Sequence, residues 1–437
     1  MRVSFFNTFL QGGAAYGAIN LFTNLLTQND HIVGRFNYMQ DLTNGQKQQR
    51  LKHKGHYQAF HPITLNKNPL TKLSNSFKAR KYYAAIKKHI KDCPKEFEQF
   101  HTAWQYYKSP YKWFSNKLPD IIHLHWVAKW IDYPSFFNSI PDNTPIIWTL
   151  HDQNPMTGGC HYSWECKRYK KECNTCPQLG TNSKGDLALK NWETKFNALK
   201  NKNLHIVGDS TWITHEAQLS PLFASAKSFQ TIHYSIDFNT FKPSNNRNSL
   251  LAKYNIPKNA FVICFGAADF TNRRKGFLEL MVALRLIKEK NNNIHCLVFG
   301  AGKLDTDTSH LPPIHFTGRL NANELAEVYG ATDIFIIPSL YEAFGLTAIE
   351  SMACGTPVIG FNTGGIPDSV KEGISGWLVE KGNSLALADK ILYLEKNRKE
   401  VEAIAQSAIP FVRKNFNKER EVEAYWELYN KVLGARL

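Results

Sequence analysis

The fold of this chain is decided by the stretch Ser339-Leu340-Tyr341-Glu342-Ala343-Phe344-Gly345-Leu346-Thr347-Ala348-Ile349-Glu350. It follows the apolar run 333–338, which is typical of a buried strand, and it opens a helical pattern that ends at Gly355. Glu342 is therefore predicted in the loop at the carboxyl end of a strand, where open α/β sheets bind ligands. Glu350 follows about one turn into the helix.

The chemistry of this stretch predicts a ligand that carries both phosphates and hydroxyls. Amides after Gly345 stand at the start of the helix, where an anion binds. The Glu350 carboxylate can accept hydrogen bonds from sugar hydroxyls. Both features together predict a nucleotide sugar. The alternative is that Glu342 and Glu350 are surface acids that flank a helix, because the spacing alone is a weak signal.

Strand-like runs alternate with helical patterns along both halves of the 437 residues, which predicts an α/β protein of two domains. The polar stretch 240–249 is predicted as the linker between them. The predicted domains are 1–240, with a basic insertion at about 42–120 and a cysteine-rich loop at 158–178, then 241–415, then a returning helix at 416–437. The strongest predicted strands are 3–6, 121–126, 146–150, 204–208, 261–265 and 296–299.

Two further segments support a specific family. The two acids are followed by the small-residue stretch 353–360 and by the Gly-Gly turn in 363–368. Together these motifs resemble the donor site of retaining glycosyltransferases of the GT-B fold, family four. The cysteine-rich loop at 158–178 resembles the insertion of a subset of these enzymes, those of exopolysaccharide (colanic acid-type) synthesis. The resemblance implies two Rossmann-like domains that face each other across a cleft.

The resemblance also implies a function. We expect transfer of a sugar from a UDP- or GDP-sugar to a glycan or lipid-linked glycan, with retention of configuration, in surface polysaccharide synthesis. No catalytic metal is expected. Glu342, Lys275 and His125 are the residues expected at the reacting centre. The residues expected to bind the donor are Gly12, Gly13, Arg273, Arg274, Phe344, Gly345, Leu346, Thr347 and Glu350.

The basic loop after the strand at 261–265 departs from the family pattern. Lys275, directly before Gly276, matches the lysine that the family uses on the donor diphosphate. The usual arginine is missing, because Gly266 is followed by two alanines. Either Arg273 or Arg274 could supply its charge, or both could be solvated loop cations.

Two features of the first half are predicted to reach the donor. Gly12 and Gly13 form a glycine-rich turn after the first strand, and its amides could approach a pyrophosphate or sugar. His125 and His151 lie at the ends of neighbouring predicted strands. In the family, a histidine at the place of His125 faces the donor sugar, although a strand-end histidine is often purely structural.

Four of the eight cysteines, Cys160, Cys166, Cys173 and Cys176, lie within seventeen residues and end in a C-x2-C pair. Four thiolates suit a tetrahedral structural zinc. His161 or His151 could replace one ligand. The alternative is a cluster of reduced thiols in a loop.

Charge is concentrated in one segment. Residues 42–91 contain twelve Lys or Arg and no Asp or Glu, out of a net charge of +16. The basic residues are interleaved with aromatics, which suits an anionic membrane surface or nucleic-acid phosphates. A solvated basic face is the simpler alternative. We expect membrane association without nucleic-acid binding.

Other functional classes fit the sequence less well. No run of about 18 apolar residues predicts a membrane span, and the first strand begins at the amino terminus, so we expect a cytoplasmic protein, peripheral on the inner membrane face. A basic nucleic-acid-binding protein would leave the two acids unexplained. A nucleotide-dependent oxidoreductase is disfavoured by incomplete glycine fingerprints. The Asp305-Thr306-Asp307 triplet lacks a flanking apolar strand and is predicted to be a chance match to a metal-binding D-x-D motif.

Overall fold

The computed structural model describes residues 1–39, 56–60, 77, 80, 81, 84, 86–88, 100–103, 113, 114, 118–181, 184–291, 293–302 and 307–434. The chain forms two compact units. The first comprises Met1–His233 and Glu421–Leu437, and the second comprises Tyr234–Arg420. We call them unit 1 and unit 2.

Unit 1 contains a sheet of parallel strands in the order β3-β2-β1-β4-β5-β6-β7. The central strands β4 and β5 are buried along their whole length, as expected for a sheet covered on both faces. The strands are β1 (Arg2–Phe6), β2 (Val33–Met39), β3 (Tyr57–Phe60), β4 (Ile121–Leu124), β5 (Ile146–Leu150), β6 (Leu204–Gly208) and β7 (Ser228–Thr231). The helices described in this unit include α1 (Gly13–Gln28), α2 (Tyr133–Asn138), α3 (Leu187–Leu199) and α4 (Thr211–Gln218).

Unit 2 contains a second parallel sheet, in the order β10-β9-β8-β11-β12-β13. Its strands are β8 (Phe261–Asp269), β9 (Ile294–Ala301), β10 (Ile314–Gly318), β11 (Ile334–Ile337), β12 (Val358–Phe361) and β13 (Gly376–Val379). Its helices include α5 (Arg247–Lys253), α6 (Phe277–Lys288), α7 (Ala322–Gly330), α8 (Leu346–Ala353), α9 (Ile366–Ser369), α10 (Ser384–Lys396) and α11 (Arg398–Asn415).

The stretch predicted as a helix-poor linker, 240–249, includes the start of α5 at Arg247. The helix forms there because Leu250 and Leu251 are buried in the core of unit 2. The final helix, α12 (Lys418–Leu433), contributes Tyr425 and Tyr429 to the core of unit 1. Their hydroxyls hydrogen-bond to unit 1 side chains, so this attachment is polar as well as apolar.

Each sheet has a switch point, where two neighbouring strands are not consecutive in the sequence. From these two strands the chain continues toward opposite edges of the sheet. In unit 1 the switch lies between β1 and β4, and in unit 2 between β8 and β11. Parallel α/β sheets bind ligands beyond the carboxyl ends of the strands at this place. Among the helices in the described ranges, none is long and apolar enough to cross a membrane.

Candidate functional site

Two loops meet at the switch point of unit 2. One follows β8 and contains Arg274 and Lys275, and the other follows β11 and contains Glu342. The Arg274 carbonyl accepts a hydrogen bond from the Leu340 amide at 2.8 Å. Between them Gly276 has φ +72°, and a Cβ there would lie 1.7 Å from the Pro338 carbonyl oxygen. Glycine is therefore required for this close approach.

Glu342 is the centre of a polar cluster at this switch point. Its Oε2 accepts hydrogen bonds from Lys275 Nζ at 2.6 Å and from Ser339 Oγ at 3.3 Å, and it pairs with an Arg274 guanidinium nitrogen at 3.4 Å. The same guanidinium nitrogen of Arg274 donates to the Tyr341 carbonyl at 2.8 Å. The structure therefore brings together three residues that were predicted separately.

The cluster carries a net positive charge. Burial of Glu342 opposes its ionisation, but Lys275 and Arg274 outweigh burial and lower the pKa of its carboxyl to about 2. Two cations then face one carboxylate. The surplus charge suits a ligand with a diphosphate.

Arg273 and Arg274, which the sequence left as alternatives, have different partners. Arg274 joins the cluster, whereas Arg273 forms a two-pronged ion pair with Glu279 at 2.6 and 2.7 Å. Arg273 is therefore held by the first turn of α6. The sequence analysis missed a further cation, Lys381. Its Nζ lies 3.6 Å from the centroid of the Tyr341 ring. Its signal in the sequence was its position just after the apolar run that forms β13.

The start of α8 was predicted as an anion site, and its backbone forms a helix N-terminus there. Gly345 caps the helix with φ +93°, and Leu346 and Thr347 are half-buried. The first amides of a helix have no partner within the helix. The ring of Phe344, a residue predicted to bind the donor, packs against Tyr234 and Phe416 in the core. The Phe344 ring is therefore not presented to a ligand.

Glu350 lies on α8, apart from the Glu342 cluster. It is 8% exposed, and burial raises the pKa of its carboxyl to about 8. No described residue forms a hydrogen bond or an ion pair with this carboxylate. The two acids of the motif thus have opposite electrostatic environments.

The switch point of unit 1 is lined by histidines. The His125 amide donates to the Phe6 carbonyl, which places His125 beside β1. His125 Nδ1 and His151 Nε2 are 3.0 Å apart, whereas His125 Nε2 is buried with no hydrogen-bond partner among the described residues. His123 contacts Tyr429 and Thr149 at 2.7 and 2.8 Å.

These imidazoles are neutral at physiological pH. Burial lowers the pKa of His125 well below its usual value, and the neighbouring His123 and His151 lower it further. Burial also lowers the pKa of His151 to about 4, although Asp152 opposes this shift. Neutral rings can exchange hydrogen bonds with hydroxyls without a charge.

A second polar chain was not predicted from the sequence. Asp152 accepts hydrogen bonds from the Trp126 ring and pairs with His161 Nδ1, both at 2.7 Å. The other ring nitrogen of His161 contacts His101. His161 and His151 are thus engaged with other side chains, which argues against the prediction that either replaces a cysteine as a zinc ligand.

The glycine turn of unit 1 is exposed. Gly12 has φ +96° and lies just before α1, whose first residue is Gly13. A Cβ at Gly12 would meet no atom within 4 Å. The turn therefore needs glycine for its backbone conformation and leaves space for a ligand.

The four cysteines of the predicted zinc site line one cavity in unit 1, together with Phe100 and Tyr169. All four thiols are free. Burial and the neighbouring thiols raise the pKa of Cys160 well above its usual value. Among the described residues, no three or more His, Cys, Asp or Glu side chains have an arrangement that could hold a metal ion. The geometry of the described residues thus gives the zinc site no support. Zinc stays a prediction, which requires the four thiol side chains to rearrange around the ion.

Much of the basic segment falls outside the described residues, including Lys47, Arg50, Lys52, Lys54, Lys78 and Lys91. Arg80, Lys81, Lys87 and Lys88 are described, and all four are exposed. Of the D-x-D triplet, Asp305 and Thr306 lie outside the described residues. Asp307 accepts hydrogen bonds from Ser309 within its own turn.

Comparison with known proteins finds a family match within unit 2. The family model for glycosyl transferases group 1 matches residues 246–410, which lie within unit 2. D-inositol 3-phosphate glycosyltransferase 1 of Catenulispora acidiphila is 30% identical over 44% of this chain and 49% of its own length. The capsular polysaccharide biosynthesis glycosyltransferase CapM of Staphylococcus aureus is 29% identical over 45% of this chain and 53% of its own length. The chain thus spans about half the length of these relatives.

A solved structure matches over both units. HepE of Anabaena, crystallised in complex with UDP and glucose, has a TM-score of 0.63 and 17% sequence identity, covering 99% of this chain and 100% of HepE. At this identity the likeness concerns the fold. The predicted GT-B class, with two Rossmann-like α/β domains, is confirmed.

Proposed function

We propose that this chain is a glycosyltransferase that transfers a sugar from a nucleotide diphosphate sugar with retention of configuration. The observation that carries the proposal is the cluster of Glu342, Lys275 and Arg274 at the switch point of unit 2. This cluster lies within the segment that the group 1 family model matches. Two cations and one carboxylate suit a ligand that combines a diphosphate with hydroxyl groups.

The chemistry follows from charge. As the anomeric bond breaks, negative charge grows on the departing phosphate. Lys275, Arg274 and the amides at the start of α8 stabilise that charge. Glu342, ionised and held by Lys275 at 2.6 Å, both orients the lysine and accepts hydrogen bonds from the sugar.

Unit 1 supplies uncharged groups in this proposal. His125 and the Gly12–Gly13 turn are assigned to the sugar end of the donor, on the basis of the family resemblance. Retention is proposed because Asp152, the carboxylate beside these histidines, is not available as the general base that an inverting enzyme needs. Its two oxygens already accept hydrogen bonds from Trp126, His161 and the Asn154 amide, so Asp152 is not a free general base. The departing phosphate then assists the acceptor hydroxyl.

The acceptor is proposed to be a glycan or a lipid-linked glycan in surface polysaccharide synthesis. Similarity to CapM supports this role. Membrane association is proposed through the basic segment, of which Arg80, Lys81, Lys87 and Lys88 are exposed. A peripheral enzyme on an anionic cytoplasmic surface would meet lipid-linked acceptors there.

The test begins with binding. Thermal unfolding is measured with UDP, GDP, ADP and their sugars, because a ligand at about 100 times its dissociation constant adds about 2.7 kcal/mol of stability. The stabilising sugar nucleotide is then offered with lipid-linked and free glycans. Proton NMR of the product reads the anomeric configuration. If no sugar nucleotide stabilises the chain, or if the product is inverted, the corresponding part of the proposal is wrong.

A further inference from the structure

The final helix of the protein reaches into the row of histidines toward the carboxyl ends of β4 and β5. The Tyr429 hydroxyl lies 2.7 Å from His123 Nδ1. His123 Nε2 lies 2.8 Å from Thr149 Oγ1, which in turn is 2.7 Å from the Tyr425 hydroxyl. These four side chains form one hydrogen-bonded network that joins α12 to both strands. We call it the tyrosine–histidine network.

The tyrosine–histidine network is closed to water. His123 and Tyr429 are fully buried, and Thr149 and Tyr425 are each only 2% exposed. A buried group that loses its partner here cannot bond to solvent instead, so it keeps the full cost of having left water. The two tyrosine hydroxyls therefore have a function that the apolar packing of α12 does not supply. Phenylalanine at either position would fill the same space without the bond.

Both ring nitrogens of His123 are held by this network. Burial lowers the pKa of His123 well below its usual value, so its ring is neutral, with one N–H donor and one lone pair. A half-turn of the ring would place its two carbon–hydrogen groups against Tyr429 and Thr149 and would break both bonds. The network therefore fixes the orientation of the His123 ring.

The ring of His123 in turn supports His125. Their ring centroids are 4.3 Å apart, with an angle of 31° between the planes. Phe5 lies against both imidazoles, at 4.5 Å from His123 and 5.3 Å from His125. Because a protein interior is close-packed, His125 cannot keep its position when the His123 ring beside it turns.

We propose that Tyr429 and Tyr425 are positioning residues of unit 1: with Thr149 they lock the ring of His123, and His123 holds the His125 imidazole in place. This inference rests on the proposed function, in which His125 is assigned to the sugar of the donor. The position of His125 then depends on a hydroxyl that comes 306 residues after His123 in the sequence.

The first test is an NMR measurement on the free protein, which needs no substrate. Protein with ¹⁵N-labelled histidine gives ring-nitrogen signals for its 16 histidines, and His125→Asn identifies those of His125 by their loss. Tyr429→Phe is compared with the wild type. Thr149→Val releases the same ring at its other nitrogen, and it serves as the second variant if Tyr429→Phe does not fold.

The matched control is Tyr329→Phe, in α7 of unit 2. Tyr329 is also a fully buried tyrosine, but its hydroxyl has no hydrogen-bond partner among the described residues. We expect the His125 signals to shift or to double in Tyr429→Phe and Thr149→Val, and to stay unchanged in Tyr329→Phe. Unchanged His125 signals in both variants of the network would overturn the proposal, because α12 would then only cover the core.

The second test separates positioning from general stability by kinetics. Tyr429→Phe should lower the rate of sugar transfer about threefold, which is in the range of one net hydrogen bond, and should leave UDP affinity unchanged. In a His125→Asn background the same substitution should have no further effect, because the residue through which it acts is gone. Tyr329→Phe should change neither the rate nor the affinity.

An equal loss of rate in both backgrounds would show that Tyr429 acts independently of His125, and this result would overturn the positioning role. If the wild type transfers no sugar at all, the proposed function fails and the positioning role fails with it. The NMR comparison distinguishes that failure from a failure of the network, since it reports directly whether Tyr429 and Thr149 hold His125.

Discussion

The switch points of the two units have the same topology but different electrostatics. In unit 2 the loops beyond β8 and β11 place Lys275 and Arg274 against an ionised Glu342. In unit 1 the strands β1 and β4 lead to His125, whose buried imidazole is neutral and contacts the equally neutral His151. The switch point of unit 2 carries net positive charge, and the switch point of unit 1 carries buried, uncharged imidazoles.

In the proposed function, this difference assigns the diphosphate of the donor to unit 2 and its sugar to unit 1. A diphosphate needs cations and helix amides, because its charge must be balanced once it leaves water. A sugar has hydroxyls and no net charge, so neutral imidazoles can exchange hydrogen bonds with it without any charge to balance.

The largest effect is expected from removing the charges of unit 2. Lys275→Ala and Glu342→Gln should each lower the rate of sugar transfer about 100- to 1,000-fold. Lys275→Ala removes a cation that stabilises the departing phosphate, and Glu342→Gln removes the carboxylate that orients Lys275 and binds the sugar. Steady-state kinetics measure the loss, and circular dichroism checks the fold. Lys290→Ala is the control, since Lys290 follows the carboxyl end of α6 and pairs with Asp389 on the surface. Near-normal turnover in either variant would contradict the assignment.

A smaller effect is expected from the basic segment. Replacing five of its cations by glutamine should weaken binding to anionic vesicles some tens-fold, even at about 0.5 kcal/mol for each charge. UDP affinity should not change. The five are Lys78, which lies outside the described residues, and Arg80, Lys81, Lys87 and Lys88.

Vesicle co-sedimentation at low and high salt measures this binding. The control variant replaces five exposed lysines elsewhere by glutamine, namely Lys396, Lys399, Lys414, Lys418 and Lys431. Binding that depends on neither lipid charge nor the first five substitutions would leave only a solvated basic face.

The thiol cavity of unit 1 should hold about one zinc per chain. Purified protein is analysed for metal, and Cys173→Ser should lower the zinc content more than tenfold, because it removes one of four ligands. Cys296→Ser is the control, since Cys296 is buried in β9 of unit 2. Less than about a tenth of an equivalent in the wild type would show a cluster of reduced thiols instead.

The smallest effect is expected at His125. His125→Asn should lower the transfer rate about tenfold, which corresponds to the loss of one hydrogen bond of about 1.4 kcal/mol. Affinity for UDP should stay unchanged, because the imidazole is assigned to the sugar. His315→Asn, at a half-buried histidine pair of unit 2, is the control. A change in UDP affinity without a change in rate would contradict this division of roles.

The sequence determined the features that depend on short-range pattern. Alternating apolar runs and helical periods predicted two α/β domains, and a glycine between two acids predicted the loop beyond β11 and the start of α8. Lys275 was found because it stands beside Gly276, whose positive φ is required by the approach to Pro338. Such features are local, so the residues that cause them are neighbours in the chain.

Only the tertiary structure decided the features that depend on contacts between distant segments. It selected Arg274 over Arg273, because Glu279 holds the latter, and it placed the Phe344 ring in the core. It brought Asp152 into contact with His161 and Trp126. It also showed that Glu342 and Glu350 are buried to a similar degree and differ in their hydrogen-bond and ion-pair partners. A charge is set by what lies within a few ångströms of it, and in a parallel sheet those neighbours come from strands that are far apart in sequence.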